Sequence, residues 1–401
     1  MTNFFKAILI GLILFIYGLY VPLLSFYVLF AAVATLALLN AFAVRFDREF
    51  VKRFMLLGLF AVTYYLVTTI HGITNIKESV CNIIAITGAY SLGYSITPGK
   101  NEDCARTLPT VFLLMATGFL MFSFLSVYNF LRTSGLVEIA ERIVPGFWDG
   151  VEINSPGLGA NASLGMCLLP VVFFGRDDEC KGIFYSLVAL FISLMFAAGV
   201  YINVALQNRT PFLATAASLF FGTLVYLHRH RANPSVAIKK LVIIGLLVGI
   251  VVWYLATSID LTQYNILTRF SEERLESSRY EAWKTMLASL HHSLLGGRAV
   301  KIEEVYVHNL WLDVIWDAGI APFVFLAAFH LNHATGFKNI LKSDLPLLVV
   351  LMTVGLGISF FMNFMQEPTM TASVTYFAAS CFYLGLVLRI SQDLEIRKVA
   401  P

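Results

Sequence analysis

The stretch Tyr306–Pro322, YVHNLWLDVIWDAGIAP, joins the longest polar segment of the chain to an apolar run that carries two acids. His308 and Asn309 close a polar segment that begins near Ser258, while Asp313 and Asp317 lie inside a run otherwise apolar enough to enter a membrane. At helical spacing Asn309, Asp313 and Asp317 fall on one face. Chemistry is expected at this junction of polar loop and bilayer.

Working outward, composition sets the class. Of the 401 residues 58% are hydrophobic, 14% aromatic and only 13% charged, and the mean hydropathy is +0.77, far outside the balance of soluble globular chains. The chain reads as an all-α polytopic membrane protein in contact with membrane lipids. Apolar runs of roughly 17 to 22 residues, the length a bilayer core demands of a helix, begin near Ala7, Leu23, Met55, Val80, Leu108, Ala160, Ile183, Pro211, Leu241, Asn309, Leu345 and Thr371, which predicts about 12 spans. The sixth and tenth carry Gly, Asn and Asp and are the least regular. The first run has no A-x-A-type cleavage site and is soon followed by another span, so it is expected to stay as a helix.

This divides the chain into residues 1–257 with transmembrane helices 1–9, an insertion at 258–308, and residues 309–401 with helices 10–12. Alternate connections collect about 18 of the Lys and Arg residues against about 10 in the others, and by the positive-inside tendency the richer set is cytoplasmic. Both termini are then expected to be cytoplasmic, and the segments 128–158 and 258–307 to face the other side, which for a bacterial inner membrane would be the periplasm. In the first, Leu136, Ile139 and Ile143 recur at helical spacing with Leu131 and Val144 nearby, the pattern of an amphipathic helix on the membrane. In the second, a helix is expected from about Glu272 to Leu290, with an apolar stripe of Leu275, Tyr280, Trp283, Leu287 and Leu290, ended by Gly296 and Gly297. Ser271 is its expected N-cap.

The five cysteines form no CxxC pair and suggest neither a disulfide framework nor a zinc site. No GxGxxG, Walker or GxSxG pattern is present. Among paired acids, Asp177 and Asp178 sit on the basic side, and Glu303 and Glu304 are adjacent, so in a strand they would point to opposite faces. No outward acid cluster has metal-ligand spacing, Glu272, Glu273 and Glu276 being the nearest to one; no metal or other cofactor is expected, and no nucleic-acid partner. What remains outward is one interfacial histidine, His308, and several arginines, a set suited to activating a hydroxyl while holding a pyrophosphate. Arg209 stands in the short outward loop YINVALQNRT, where a cation either meets a phosphate or contacts a lipid headgroup. Arg142, in the first insertion, has the same two readings. The charges around Arg279 read either as a binding face or as a solvated helix with pairs such as Glu276 to Arg279 and Glu281 to Lys284. Asp317 is expected to tie helices together; Asp313 is open between that role and a functional one. Gly319 and Pro322 either break the tenth helix or permit close packing.

The chain resembles the O-antigen ligase family, part of a superfamily that also holds lipid-linked polysaccharide polymerases and protein O-oligosaccharyltransferases. The resemblance covers the whole pattern of spans. His308 and Asn309, followed after nine residues by Gly319, fit the family's sharpest motif, although Pro322 stands where a small residue is usual. Arg209 and Thr210 match its outward Arg-Thr ahead of a span, and Arg279, Trp283, Gly296 and Gly297 match its Arg ahead of an aromatic residue and a Gly pair.

The resemblance implies transfer of a glycan from undecaprenyl pyrophosphate to a sugar hydroxyl of lipid A-core, at the periplasmic face and without metal. In that reading His308 is the catalytic base, Arg209, Arg279 and Arg142 meet the pyrophosphate, and Asn309, Asp313 and Gly319 support the motif. One base without a nucleophilic carboxylate points to a single displacement with inversion. A lipid-linked glycan polymerase uses a similar donor. A transporter of lipid-linked glycans is the alternative without chemistry; it would need inverted repeats and charges in several helices, and intramembrane acids are seen in essentially one.

Overall fold

A computed structural model of the chain describes residues 2–22, 47–97, 101–134, 143–176, 182–231, 278–303 and 306–399, with a few isolated positions between them. In chain order the helices are α1 (Thr2–Gly18), α2 (Arg48–Ile70), α3 (Ile76–Tyr94), α4 (Asn101–Ser134), α5 (Ser155–Met166), α6 (Leu169–Phe174), α7 (Ile183–Ala205), α8 (Thr210–Arg229), α9 (Ser278–Ala288), α10 (Leu310–Ala318), α11 (Ile320–Leu341), α12 (Leu347–Gln366), α13 (Thr369–Ala372) and α14 (Val374–Val399). A short antiparallel pair, β1 (Ile143–Pro145) and β2 (Glu152–Asn154), precedes α5.

Among the described residues eight helical segments are long and apolar enough to cross a membrane: α2, α4, α5 with α6, α7, α8, α11, α12 and α14. The protein is thus a mainly helical, multi-pass chain. Expected spans near Leu23 and Leu241 fall outside the described residues. The first run forms the shorter apolar helix α1, and the run near Val80 forms α3, which is not among the eight.

Helix starts follow local chemistry. Asp47 accepts the Phe50 N–H at 2.7 Å ahead of α2, and Asn75 accepts the Glu78 N–H at 2.9 Å ahead of α3, each satisfying a donor that the first turn leaves open. Packing then depends on small residues, since between apolar helices in lipid the close approach of backbones is what binds. A Cβ at Gly93 or Gly385 would collide with the carbonyl of Phe382 or Tyr90, so α3 and α14 lie backbone to backbone. Gly118 does the same for α1 against α4, at Phe15.

Long-range contacts sort the loops to two ends of the bundle. Arg229, finishing α8, donates to the Leu345 carbonyl just before α12 at 3.2 Å. The two helices therefore run antiparallel, and α8 begins where α12 finishes. At that end Asn208 donates to the Ser155 carbonyl at 2.7 Å, Tyr20 and Ser373 share a hydroxyl bond of 2.9 Å, and Arg279 donates to the Gln366 carbonyl at 2.8 Å. At the other, Lys6 reaches the Ser95 carbonyl at 3.1 Å and Tyr94 donates to Asp47 at 3.1 Å.

Three expectations change. The tenth run is not one helix: Gly319, at φ +88°, ends α10 and starts α11. Asp313 and Asp317 therefore sit in a short helix ahead of the span, not within it. In the first insertion Leu136 and Ile139 lie outside the described residues, whereas Ile143 and Val144 belong to β1, where β-branched side chains fit a pleat better than a helical stripe. In the second, Ser271–Ser277 likewise lie outside, and the described helix buries Ala282 and Met286 while Tyr280 and Leu287 are exposed. Of the predicted stripe, Trp283 and Leu290 pack against the small core on α10, whereas Tyr280 and Leu287 face out.

Candidate functional site

Asn309 opens α10 as its N-cap, its side-chain oxygen accepting the N–H groups of Trp311 and Leu312, both at 3.2 Å. One residue earlier His308 adopts φ +59°, the left-handed region that non-glycine residues rarely occupy. Neighbours hold it there. Asp313 accepts the Val307 N–H at 2.9 Å and the Asn309 N–H at 3.1 Å, and the Trp283 indole of α9 donates to the Val307 carbonyl at 2.8 Å. Met286, Val300, Val307, Ile315 and Trp316 form a small core beneath, separate from the main one.

At the far end of α10, Asp317 accepts from Arg298 Nε at 2.8 Å and from the Tyr64 hydroxyl of α2 at 3.0 Å. The Arg298 guanidinium lies over the Trp316 ring, 4.6 Å from its centroid. The N–H groups of Gly297 and Arg298 donate to the carbonyls of Asp317 and Trp316, and that of Ile320 to Leu294. The glycine pair and Gly319 thus make the close approach that fixes α10 against the insertion. Burial, and then the neighbouring Asp317, raise the Asp313 carboxyl, against which its two backbone bonds and Arg298 pull down. Burial raises Asp317 as well, opposed chiefly by Arg298.

Glu367, in the turn after α12, completes the group. Its Oε1 lies 3.4 Å from Arg279 Nη1, and its Oε2 lies 3.9 Å from His308 Nδ1. Among the described residues neither Oε2 nor Nδ1 has a hydrogen-bond partner, and Glu367 is only 5% exposed. Glu367 is not among the residues that the sequence pattern singles out. Its signal was an acid in a short connection between two apolar runs, followed by Pro368, on the same side as His308.

The structure therefore brings His308, Asn309, Asp313 and Arg279 together, with Glu367 added. Arg209 stands at the same end of the bundle, at the N-cap position of α8, half-buried, its carbonyl accepting from Phe212 and Leu213. Arg142 lies outside the described residues, as do Glu272, Glu273 and Glu276. The exposed pair Lys284–Glu281, at 3.8 Å, fits a solvated face. Among the described residues no three His, Cys, Asp or Glu side chains are grouped as a metal shell.

Beside the site an apolar cavity of about 500 Å³ runs between α11, α12 and α14. Trp311 and Phe364 line it, and both are within one helical turn in sequence of Asn309 or Glu367. Farther along are His330, Phe337, Phe361 and Tyr383.

Compared with known proteins, the chain matches no family model and no curated protein.

Proposed function

We propose that this protein is a glycan transferase of the O-antigen ligase kind, acting at the periplasmic face of a bacterial inner membrane with both termini cytoplasmic. It moves a glycan from undecaprenyl pyrophosphate to a hydroxyl of lipid A-core. The observation that carries the reading is the convergence of His308 and Arg279 on one buried carboxylate, Glu367, within a helical turn in sequence of Trp311 and Phe364, which line an apolar cavity. A base and a cation are the two groups that such a transfer requires.

With Nδ1 turned toward Glu367, Nε2 is the nitrogen left for the acceptor hydroxyl. It takes the proton as the oxygen attacks the anomeric carbon, and the bond from that carbon to the pyrophosphate oxygen breaks. Undecaprenyl pyrophosphate leaves with the electron pair, and the proton stays on the imidazole until water accepts it. Arg279, and Arg209 from the same end, meet the growing negative charge on the phosphates. Glu367 balances the imidazolium as it forms, the role a buried acid plays behind many catalytic histidines. The cavity beside Trp311 and Phe364 gives the lipid chain of the donor a dry place next to its headgroup. Asp313 and Asp317 stand in α10, ahead of the span α11, which supports surface chemistry over a charged path through the bilayer.

The test is single-turnover transfer by the purified chain in nanodiscs, with an undecaprenyl-pyrophosphate-linked glycan and separate acceptors. Glycan should pass to lipid A-core, and His308→Ala should slow the step by roughly 100-fold or more, the scale for losing a general base. Product on a second lipid-linked glycan would make the protein a polymerase. Transfer at the native rate by His308→Ala would sink the assignment.

A further inference from the structure

We infer that Asp313 is a positioning residue for His308: one carboxyl group takes the backbone N–H on each side of the histidine and fixes the left-handed turn from which the imidazole faces Glu367. The inference rests on the reading of His308 as the base. It concerns a residue that does not touch substrate.

The two bonds of Asp313 differ in what they serve. Reaching back to the Asn309 N–H, at 3.1 Å, is what a capping box does for the start of a helix. The bond to the Val307 N–H, at 2.9 Å, lies beyond the cap and adds nothing to α10. The helix start is in any case served by Asn309, which accepts from Trp311 and Leu312. What the second bond does is close the chain around His308. Val307 is gripped at its N–H by Asp313 of α10 and at its carbonyl by Trp283 of α9, while residue 309 opens α10 itself.

That closure matters because His308 is in a conformation an L-residue resists, at φ +59°. Without both anchors the residue would relax toward the ordinary extended or helical regions, and either change swings the side chain away from Glu367. Asp313 is itself 1% exposed and sits on a helix whose other end is tied by Arg298 and Tyr64 to Asp317. The clamp is therefore rigid relative to α2 and to the insertion. Geometry held this closely is what a base needs, since a displacement of about 1 Å can cost on the order of 100-fold in rate.

A purely structural Asp313 and a positioning Asp313 differ in a double-mutant cycle. In the nanodisc assay above, with the undecaprenyl-pyrophosphate-linked glycan and lipid A-core, Asp313→Ala should lower kcat by roughly 10- to 100-fold. The KM for donor should stay within about threefold, because Arg279 is untouched. In the His308→Ala background the same substitution should change the residual rate by less than about twofold, since there is no base left to misplace. Asp313→Asn, which keeps one acceptor, should fall between parent and Asp313→Ala; it carries the same comparison if the alanine variant does not elute as folded protein. Full kcat in Asp313→Ala or Asp313→Asn, or an equal loss with and without His308, would overturn the inference and leave the reading of His308 standing. Transfer that does not depend on His308 would overturn both.

Discussion

His308 Nδ1 and Glu367 Oε2 face each other across 3.9 Å, both buried and neither hydrogen-bonded among the described residues. The gap is too long for a hydrogen bond and short enough for charge to be felt. Glu367 spends its other oxygen on Arg279, whose same Nη1 is also committed to the Gln366 carbonyl. An anion arriving at Arg279 competes with Glu367 for that guanidinium and releases the carboxylate toward the histidine. In the proposed function, binding of donor and readiness of the base would thus be linked through one side chain.

Glu367→Gln separates the two functions. It keeps the shape and removes the charge, so the imidazolium formed during proton transfer loses its counter-ion. Single-turnover rates should fall by about 10-fold or more. Donor KM should not rise, because Arg279 has lost a competitor. A raised KM with an unchanged rate would mean that Glu367 only positions Arg279.

Arg279→Ala should show the reverse balance. Charge-assisted bonds to pyrophosphate are lost, so donor binding weakens by about 1.5 to 3 kcal/mol per contact and the step slows as well. Arg279→Lys should restore part of this, since an ammonium offers a point charge in place of a planar fork. Arg209→Ala is expected to act in the same direction, and donor affinity measured in nanodiscs is the check. Tight donor binding by both alanine variants would return these arginines to ordinary surface charges.

How much of the site is legible in the sequence differs by residue. His308 and Asn309 can be found because a polar segment ends abruptly at an apolar run, a pattern local to the chain. Glu367 cannot, because its meaning comes from where α12 stops relative to α10. The break at Gly319 is equally hidden: apolar residues continue on both sides of it, and a glycine in such a run reads as a hinge or as a packing site. Only the close approach of Leu294–Gly296 decides between them. The stripe in the second insertion is legible only in part for a related reason. Trp283 and Leu290 do pack inward, but burial is decided by the neighbour, and Met286 rather than Leu287 meets α10.

Gly319→Ala tests that break directly. At φ +88° an alanine is strained, and its Cβ would collide with the Leu294 carbonyl. The cost should be at least ~1–3 kcal/mol, read as a lowered unfolding midpoint. Gly58, inside α2, faces open space, and a Cβ added there would meet nothing within 4 Å. Gly58→Ala should therefore leave the midpoint unchanged or raise it by the helix-propensity gain of up to about 1 kcal/mol. Equal effects at the two sites would remove the argument that Gly319 is required by geometry.

Stability against pH provides the last test, and its sign follows from Asp313. Burial and the nearby Asp317 push this carboxyl up to about 8, against the ordinary carboxylate value of 3.8. Between those two values the folded chain holds a proton that the unfolded chain has released. Stability then falls as pH rises through that window, because the folded state binds the extra proton. Unfolding midpoints of the parent should decline from pH 5 toward pH 8 relative to those of Asp313→Asn, which has no proton to lose. His308, Arg298, Asp317 and Tyr64 are present in both proteins, so the difference between the two curves reports Asp313 together with its charge coupling to Asp317. The variant itself starts from a lower midpoint, since its amide offers one acceptor where two N–H groups need one each. Parallel curves across the whole range would show that Asp313 titrates where an exposed carboxylate does, and that its two backbone bonds outweigh its burial.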